Sequence, residues 1–153
     1  RRADFAARFM AVLAETGTDP RQIVVEITET VPLQAGAVEK ANLALLRQSG
    51  VRIAIDDFGA GHASLQYLRG FAFDIIKIDR TYVASIEGGR IDAMIVEAIC
   101  RIARSLPVAV IAEGVETEGQ LRCLQAAGCT GFQGYLLGRP EPLTCLDKAS
   151  AAA

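Results

Sequence analysis

The sequence predicts an α/β fold built on a parallel sheet. Short β-branched runs alternate with longer stretches of helical spacing, at residues 23–27, 51–55, 73–78 and 108–112, with a weaker fifth run around 131–135. Such alternation reads as successive βα units. In addition, four of the runs carry a charged residue near their C-terminal ends, all on the face opposite the apolar one.

The first helical stretch places Phe5, Phe9, Val12 and Leu13 on one face, and Gly17 can terminate it. In the strand that follows, Ile23, Val25 and Ile27 form the apolar face, and Val24 and Glu26 the other. A second helix shares Val38, Ala41, Leu45 and Leu46 on one face, with Gly50 just beyond. The next strand alternates Val51, Ile53 and Ile55 with Arg52, Ala54 and Asp56. The glycine pair of Gly59-Ala60-Gly61 can act as a hinge. The third strand sets Ile76 and Ile78 against Ile75, Lys77 and Asp79. Ile91, Met94, Ile95, Ala98, Ile99 and Ile102 then repeat at strong helical spacing. In the fourth strand Val108, Val110 and Ala112 oppose Ala109, Ile111 and Glu113. Thr117 and Gln120 have the spacing of a capping box. Leu121 and Leu124 of that last helix face the core, and Gly128 ends it.

Composition narrows the function. Of 153 residues, 51% are hydrophobic and 22% charged, enough for a sizeable core and unlike a disordered chain. Sixteen Lys and Arg against 18 Asp and Glu give a net charge of −2, which excludes binding of duplex DNA or RNA through a basic surface. No apolar run approaches the roughly 18 residues of a membrane span. The stretch from Phe5 to Ala14 is broken by Arg8 and reads as an amphipathic helix, not a secretory signal. Cys100, Cys123, Cys129 and Cys145 form no C-x-x-C pair, and the single histidine, His62, has no cysteine nearby. Zinc is therefore not expected, and the thiols read as reduced, in a cytoplasmic protein.

The charged strand ends carry the chemistry. In a parallel barrel, Glu26, Asp56, Lys77 and Glu113 surround one opening, where barrel enzymes keep their reacting groups. Asp57 adds a further carboxylate. That much negative charge in one place calls for cations, and hard oxygen ligands select Mg²⁺ or Mn²⁺. Paired ions suit phosphodiester cleavage, and Lys77 can orient a water or hold a phosphate oxygen.

These residues stand in recognisable strings: Glu26-Ile27-Thr28-Glu29, Asp56-Asp57-Phe58-Gly59, Lys77-Ile78-Asp79, Ala112-Glu113-Gly114-Val115-Glu116 and Gln133-Gly134-Tyr135. In this order they resemble the EAL-domain family of bacterial phosphodiesterases, which linearise cyclic di-GMP. The resemblance implies a TIM-like (βα) barrel, incomplete in this chain, with about five of its eight strands. It implies two Mg²⁺ or Mn²⁺ ions: Glu26 as a ligand of the first, Asp56 bridging, and Asp57 as a ligand of the second. Lys77 would contact the nucleophilic water, and Glu113 would be a second-metal ligand or the general base. Glu29 would anchor the loop after Asp57. Asp79, Glu116 and Gln133 would support the site. Attack of hydroxide on one phosphodiester would give linear pGpG. A homodimer and attached sensory or GGDEF domains are also implied.

Two departures qualify the resemblance. His62 and Ala63 stand where the family commonly has tyrosine and serine. The Glu-x-Leu motif and an asparagine on the next strand, both metal ligands, precede the region matching Arg1. The expected organisation is thus a phosphodiesterase domain over 1–148 lacking its N-terminal strands, with an alanine-rich tail at 149–153. By itself it would be poorly active and prone to associate through a bare sheet edge. The competing reading is an EAL-like module that binds cyclic di-GMP or protein partners without hydrolysis.

Overall fold

A computed structural model describes residues 4–28, 31, 35–59 and 72–142. Within them five strands form one sheet in chain order: β1 (Val24–Thr28), β2 (Arg52–Phe58), β3 (Ile75–Ile78), β4 (Ala109–Glu113) and β5 (Gly131–Gln133). Every neighbouring pair is parallel. A parallel sheet that advances one strand at a time, always to the same side, is part of a βα barrel. Among the described residues, helices α1 (Phe5–Thr16), α2 (Ala37–Gln48), α3 (Arg80–Ser85), α4 (Arg90–Ser105) and α5 (Glu118–Ala127) connect or flank the strands. A 3₁₀ turn at Pro20–Gln22 leads into β1 and is capped by Asp19, whose carboxylate accepts the Arg21 N–H.

The strands behave as their alternation predicts, except that the central ones are covered on both faces. Ile53, Ala54 and Ile55 are all fully buried, as are Ile76 and Ile78. This is the environment of a parallel strand with helices outside and barrel interior within. The main core joins these residues to Val83, Val96, Val110, Val115 and Leu124, and a smaller cluster around Leu46 and Val51 seats α1.

The helices need correction. In α1 the buried residues are Ala6 and Leu13, while Phe5 and Val12 of the expected face are exposed. The reason is the close approach of α1 to α2, where the Ala6 N–H donates to Asn42 Oδ1 at 3.0 Å. In α2 only Leu46 is fully buried, and Val38, Ala41 and Leu45 face outward. In α4 the buried line runs Val96, Ile99, Cys100, Ala103, and Ile91 and Met94 stay in solvent. Cys100 and Ala103 are small, so they let the helix lie close against its neighbours where an isoleucine would hold it off. No helix among the described residues is long and apolar enough to cross a membrane.

The punctuation is as expected. Gly17 and Gly128 close α1 and α5 in the left-handed conformation. Thr117 and Gln120 form the capping box: Thr117 Oγ1 accepts the Gln120 N–H, and Gln120 Oε1 accepts the N–H groups of Thr117 and Glu116. Cys100, Cys123 and Cys129 are free thiols, with the buried Cys100 and Cys129 sulfurs 3.6 Å apart. Glu29, Ala60, Gly61, His62, Ala63, Cys145 and the tail 149–153 lie outside the described residues.

Candidate metal centre

The site forms at the C-terminal ends of the strands, and Lys77 is its hub. Its side chain is only 8% exposed. Lys77 Nζ lies 2.6 Å from Glu113 Oε1, 2.7 Å from Glu26 Oε1 and 3.1 Å from Asp56 Oδ1. Register explains the convergence. Glu26 on β1, Lys77 on β3 and Glu113 on β4 all project from the same face of the sheet, and Asp56 joins them from β2. Burial would lower the Lys77 pKa, but the carboxylates of Glu113, Glu26 and Asp56 outweigh it and hold the amine protonated well above its ordinary range.

Asp57 reaches the same place by a different device. In an unbroken strand, consecutive residues point to opposite faces, so Asp56 and Asp57 would diverge. The β2–β3 register instead shifts: Ile55 pairs with Ile76, but Phe58 pairs with Ile78. Two residues on β2, Asp56 and Asp57, therefore oppose the single Lys77. This is a β-bulge. Asp57 takes φ 53°, a left-handed conformation that aspartate tolerates better than most residues. As a result, ligand oxygens of Asp56, Asp57 and Glu113 all lie within 4.8 Å of one another.

The electrostatics of this trio are unbalanced. Desolvation, then the charges of Asp56 and Asp79, push the Asp57 carboxyl above its usual range, and Lys77 only partly opposes this. Asp79 itself is held below its usual range: burial pulls it upward, but the Thr81 hydroxyl and N–H outweigh that. Its Oδ1 accepts from the Thr81 N–H at 2.9 Å and the Thr81 hydroxyl at 2.5 Å, which caps α3. Asp56 Oδ1 is buried and incompletely satisfied: the ammonium beside it, Lys77 at 3.1 Å, is shared with Glu26 and Glu113. A buried, incompletely satisfied carboxylate oxygen among surplus negative charge is a position that a cation completes. The donors are all hard oxygens, which fits a hard divalent cation.

Beside the trio lies a cleft of about 520 Å³, walled by Asp57, Asp79, Glu113, Glu116 and Gln133 together with Arg80 and Tyr135. Every expected site residue within the described chain is therefore at this end of the sheet. Arg80 and Tyr135 are additions. Arg80 is the only cation on the cleft wall among the described residues, and its signal in the sequence was its place directly after the Lys77-Ile78-Asp79 strand end. Arg139 stacks over the Tyr135 ring at 4.5 Å. Gly134 makes the wall possible: a Cβ there would sit 2.2 Å from the backbone N and O of Val115. Close approach lets Val115 N–H donate to the Gln133 carbonyl, tying β5 to the strand end that carries Glu113.

Comparison with known proteins agrees with this geometry. The family model for the EAL domain matches residues 1–140. A probable cyclic di-GMP phosphodiesterase of Escherichia coli, PdeA, is 39% identical over 140 residues, covering 92% of this chain and 19% of PdeA. The solved phosphodiesterase of MucR in complex with c-di-GMP superposes with a TM-score of 0.86 at 36% identity, covering 95% of this chain and 59% of that one. BlrP1 of Klebsiella pneumoniae, solved as a manganese and cy-diGMP complex, gives a TM-score of 0.85 at 36% identity, over 92% of this chain and 36% of that one. The chain spans between 16% and 21% of the length of the curated relatives it matches. On the match of its sequence to the family model, and of its partial barrel to the solved domains, the chain belongs to the EAL-domain family.

Proposed function

We propose that this chain carries the catalytic face of a metal-dependent phosphodiesterase that hydrolyses cyclic di-GMP to linear pGpG. The observation that carries the reading is the clustering of Asp56, Asp57 and Glu113 oxygens within 4.8 Å, next to a protonated Lys77. The MucR and BlrP1 complexes with the cyclic dinucleotide support the choice of substrate, and the manganese in BlrP1 supports the choice of ion.

Glu26, Asp56, Asp57 and Glu113 would hold two divalent ions, Mg²⁺ or Mn²⁺. Bound there, such ions supply activation of a water and neutralisation of phosphate charge. The protein's own contribution is positioning and proton handling. The Lys77 ammonium, which donates but cannot accept, orients the attacking oxygen and holds it away from the carboxylates. Glu113 is within reach of both Lys77 and the trio, so it can also take the proton released by the attacking water. Asp79 caps the helix that follows Lys77, and Arg80 offers a charge-assisted contact to phosphate oxygens. Glu116, Gln133 and Tyr135 line the cleft that would receive the dinucleotide. In the net step one water is consumed: its oxygen bonds to phosphorus, the P–O3′ bond breaks, and a proton ends on the departing 3′ oxygen.

The test is turnover of cyclic di-GMP by this chain with Mg²⁺, Mn²⁺ or EDTA, with Glu113→Ala as control. Metal-dependent pGpG, lost in the control, is the expected result. Equal turnover with EDTA would refute the reading. The alternative, binding without hydrolysis, is favoured by one feature: Glu26 sits on β1, at the edge of the described sheet, with its side chain 48% exposed. Tight binding of cyclic di-GMP with no product would select it.

A further inference from the structure

The bulge that gathers Asp56 and Asp57 ends in a second unusual residue. Asp57 has φ 53° and Gly59 φ 95°, on either side of Phe58, which is buried and pairs with Ile78. Gly59 takes its angle freely, but Asp57 is not glycine, and its conformation needs support from outside the strand. That support is Tyr82. Its hydroxyl donates to the Gly59 carbonyl at 2.7 Å. Its ring fills the space that a side chain on residue 59 would need, since a Cβ there would lie 2.7 Å from Tyr82 Cε2.

Tyr82 is well placed to transmit rigidity. It stands on α3, one turn beyond Asp79, which caps that helix. Three residues of the segment 77–82 thus grip the segment 56–59: Lys77 faces Asp56, Asp79 lies beside Asp57, and Tyr82 holds Gly59.

We infer that Tyr82 is a positioning residue: through the Gly59 carbonyl it holds the bulge in the conformation that turns the Asp57 carboxylate toward Asp56 and Glu113. Its hydroxyl, not only its ring, sets the affinity of the site for a divalent cation. The metal part of this inference rests on the proposed role of Asp57. A packing role alone would need the ring and not the hydroxyl, so Tyr82→Phe separates the two.

The experiment compares the chain with its Tyr82→Phe variant in two ways. Amide hydrogen exchange reads the bulge at residues 56–59, and titration calorimetry reads Mn²⁺ binding with no nucleotide present. The variant is expected to exchange faster at the bulge and to bind Mn²⁺ more weakly, each by about three- to tenfold, the range set by one net hydrogen bond. Exchange in β4 should hold, and the melting temperature should fall by no more than a few degrees. Excess Mn²⁺ should restore turnover without a change in the KM for cyclic di-GMP. Wild-type exchange at 56–59, or faster exchange with unchanged Mn²⁺ affinity, would overturn the inference. If the unaltered chain binds no Mn²⁺, it is the proposed function that fails, and the exchange measurement alone then decides whether the Tyr82 hydroxyl holds the bulge.

Discussion

The two ends of the sheet each have a cleft and each carry paired ionic groups, yet they are built to opposite rules. At the C-terminal end the cleft is about 520 Å³, and one ammonium, Lys77, serves the three carboxylates of Glu26, Asp56 and Glu113. At the N-terminal end the cleft is about 530 Å³, and one guanidinium, Arg47, serves one carboxylate, Asp74. Arg47 donates to both Asp74 oxygens, and the Ile53 N–H completes Asp74 at 2.9 Å. That pair is balanced in charge and in hydrogen bonds, and it ties α2 to the approach to β3. The Lys77 cluster is balanced in neither. Cleft volume does not separate the two regions. The sign of the surrounding charge does: the N-terminal cleft adds Lys40 and Arg52 to the Arg47–Asp74 pair and is cationic, whereas the Lys77 cluster has carboxylate in excess and leaves room for a cation from solution.

The largest expected effect that would break this contrast is on turnover. Glu113→Ala should cut Mn²⁺-dependent turnover of cyclic di-GMP by at least about 100-fold, as loss of a metal ligand does. Asp74→Asn should leave turnover nearly unchanged and cost about 1–2 kcal/mol of stability in urea unfolding, because it weakens one partly exposed pair. Equal losses of activity would mean that the two ends are not functionally distinct.

Cation exchange gives a sharper comparison at intermediate size. Lys77→Met leaves three carboxylates without their common partner and should destabilise the metal-free chain by about 2 kcal/mol, less than a fully buried pair because the carboxylates keep some solvent. Added Mn²⁺ should return most of that loss. Arg47→Met should cost about 1 kcal/mol, and Mn²⁺ should return none of it. Thermal melts with and without Mn²⁺ would show whether rescue is confined to the C-terminal end.

The smallest effect is in pH dependence, where the two ends should differ in sign. Asp57 has a folded-state pKa above its unfolded value of 3.8. Its contribution is therefore favourable below 3.8 and lost as pH rises through the folded pKa. Asp74 is held below 3.8: burial works against this, but Arg47 and the Ile53 N–H prevail. Its contribution is present above 3.8 and lost as pH falls through the folded pKa. In EDTA, unfolding between mildly acidic pH and pH 3 should show that Asp57→Asn removes a loss of stability with rising pH, and that Asp74→Asn removes a gain. The same sign for both would remove the distinction.

The strands were legible because a period of two has one reading once a face is buried. Val51, Ile53 and Ile55 are buried as their spacing indicates, and Glu26, Asp56, Lys77 and Glu113 share the opposite face. The helices were less so. An apolar stripe wide enough to contain both Ile91-Met94 and Val96-Ile99 does not say which half faces inward, and the choice fell to Cys100 and Ala103, whose small size admits close packing. Tyr82 was not legible as a site residue, since its partner is a backbone carbonyl 23 residues away.

What the sequence determines by itself is the order of βα units, the caps at Gly17, Thr117 and Gly128, the charged rim and the family motifs. Each is local: a dihedral preference, a period, or a short string. What only the tertiary structure decides is that Asp57 joins Asp56 and not the opposite face. That turn is made by a register shift between β2 and β3, and pairing across strands is settled by packing at a distance, not by the residues in the turn.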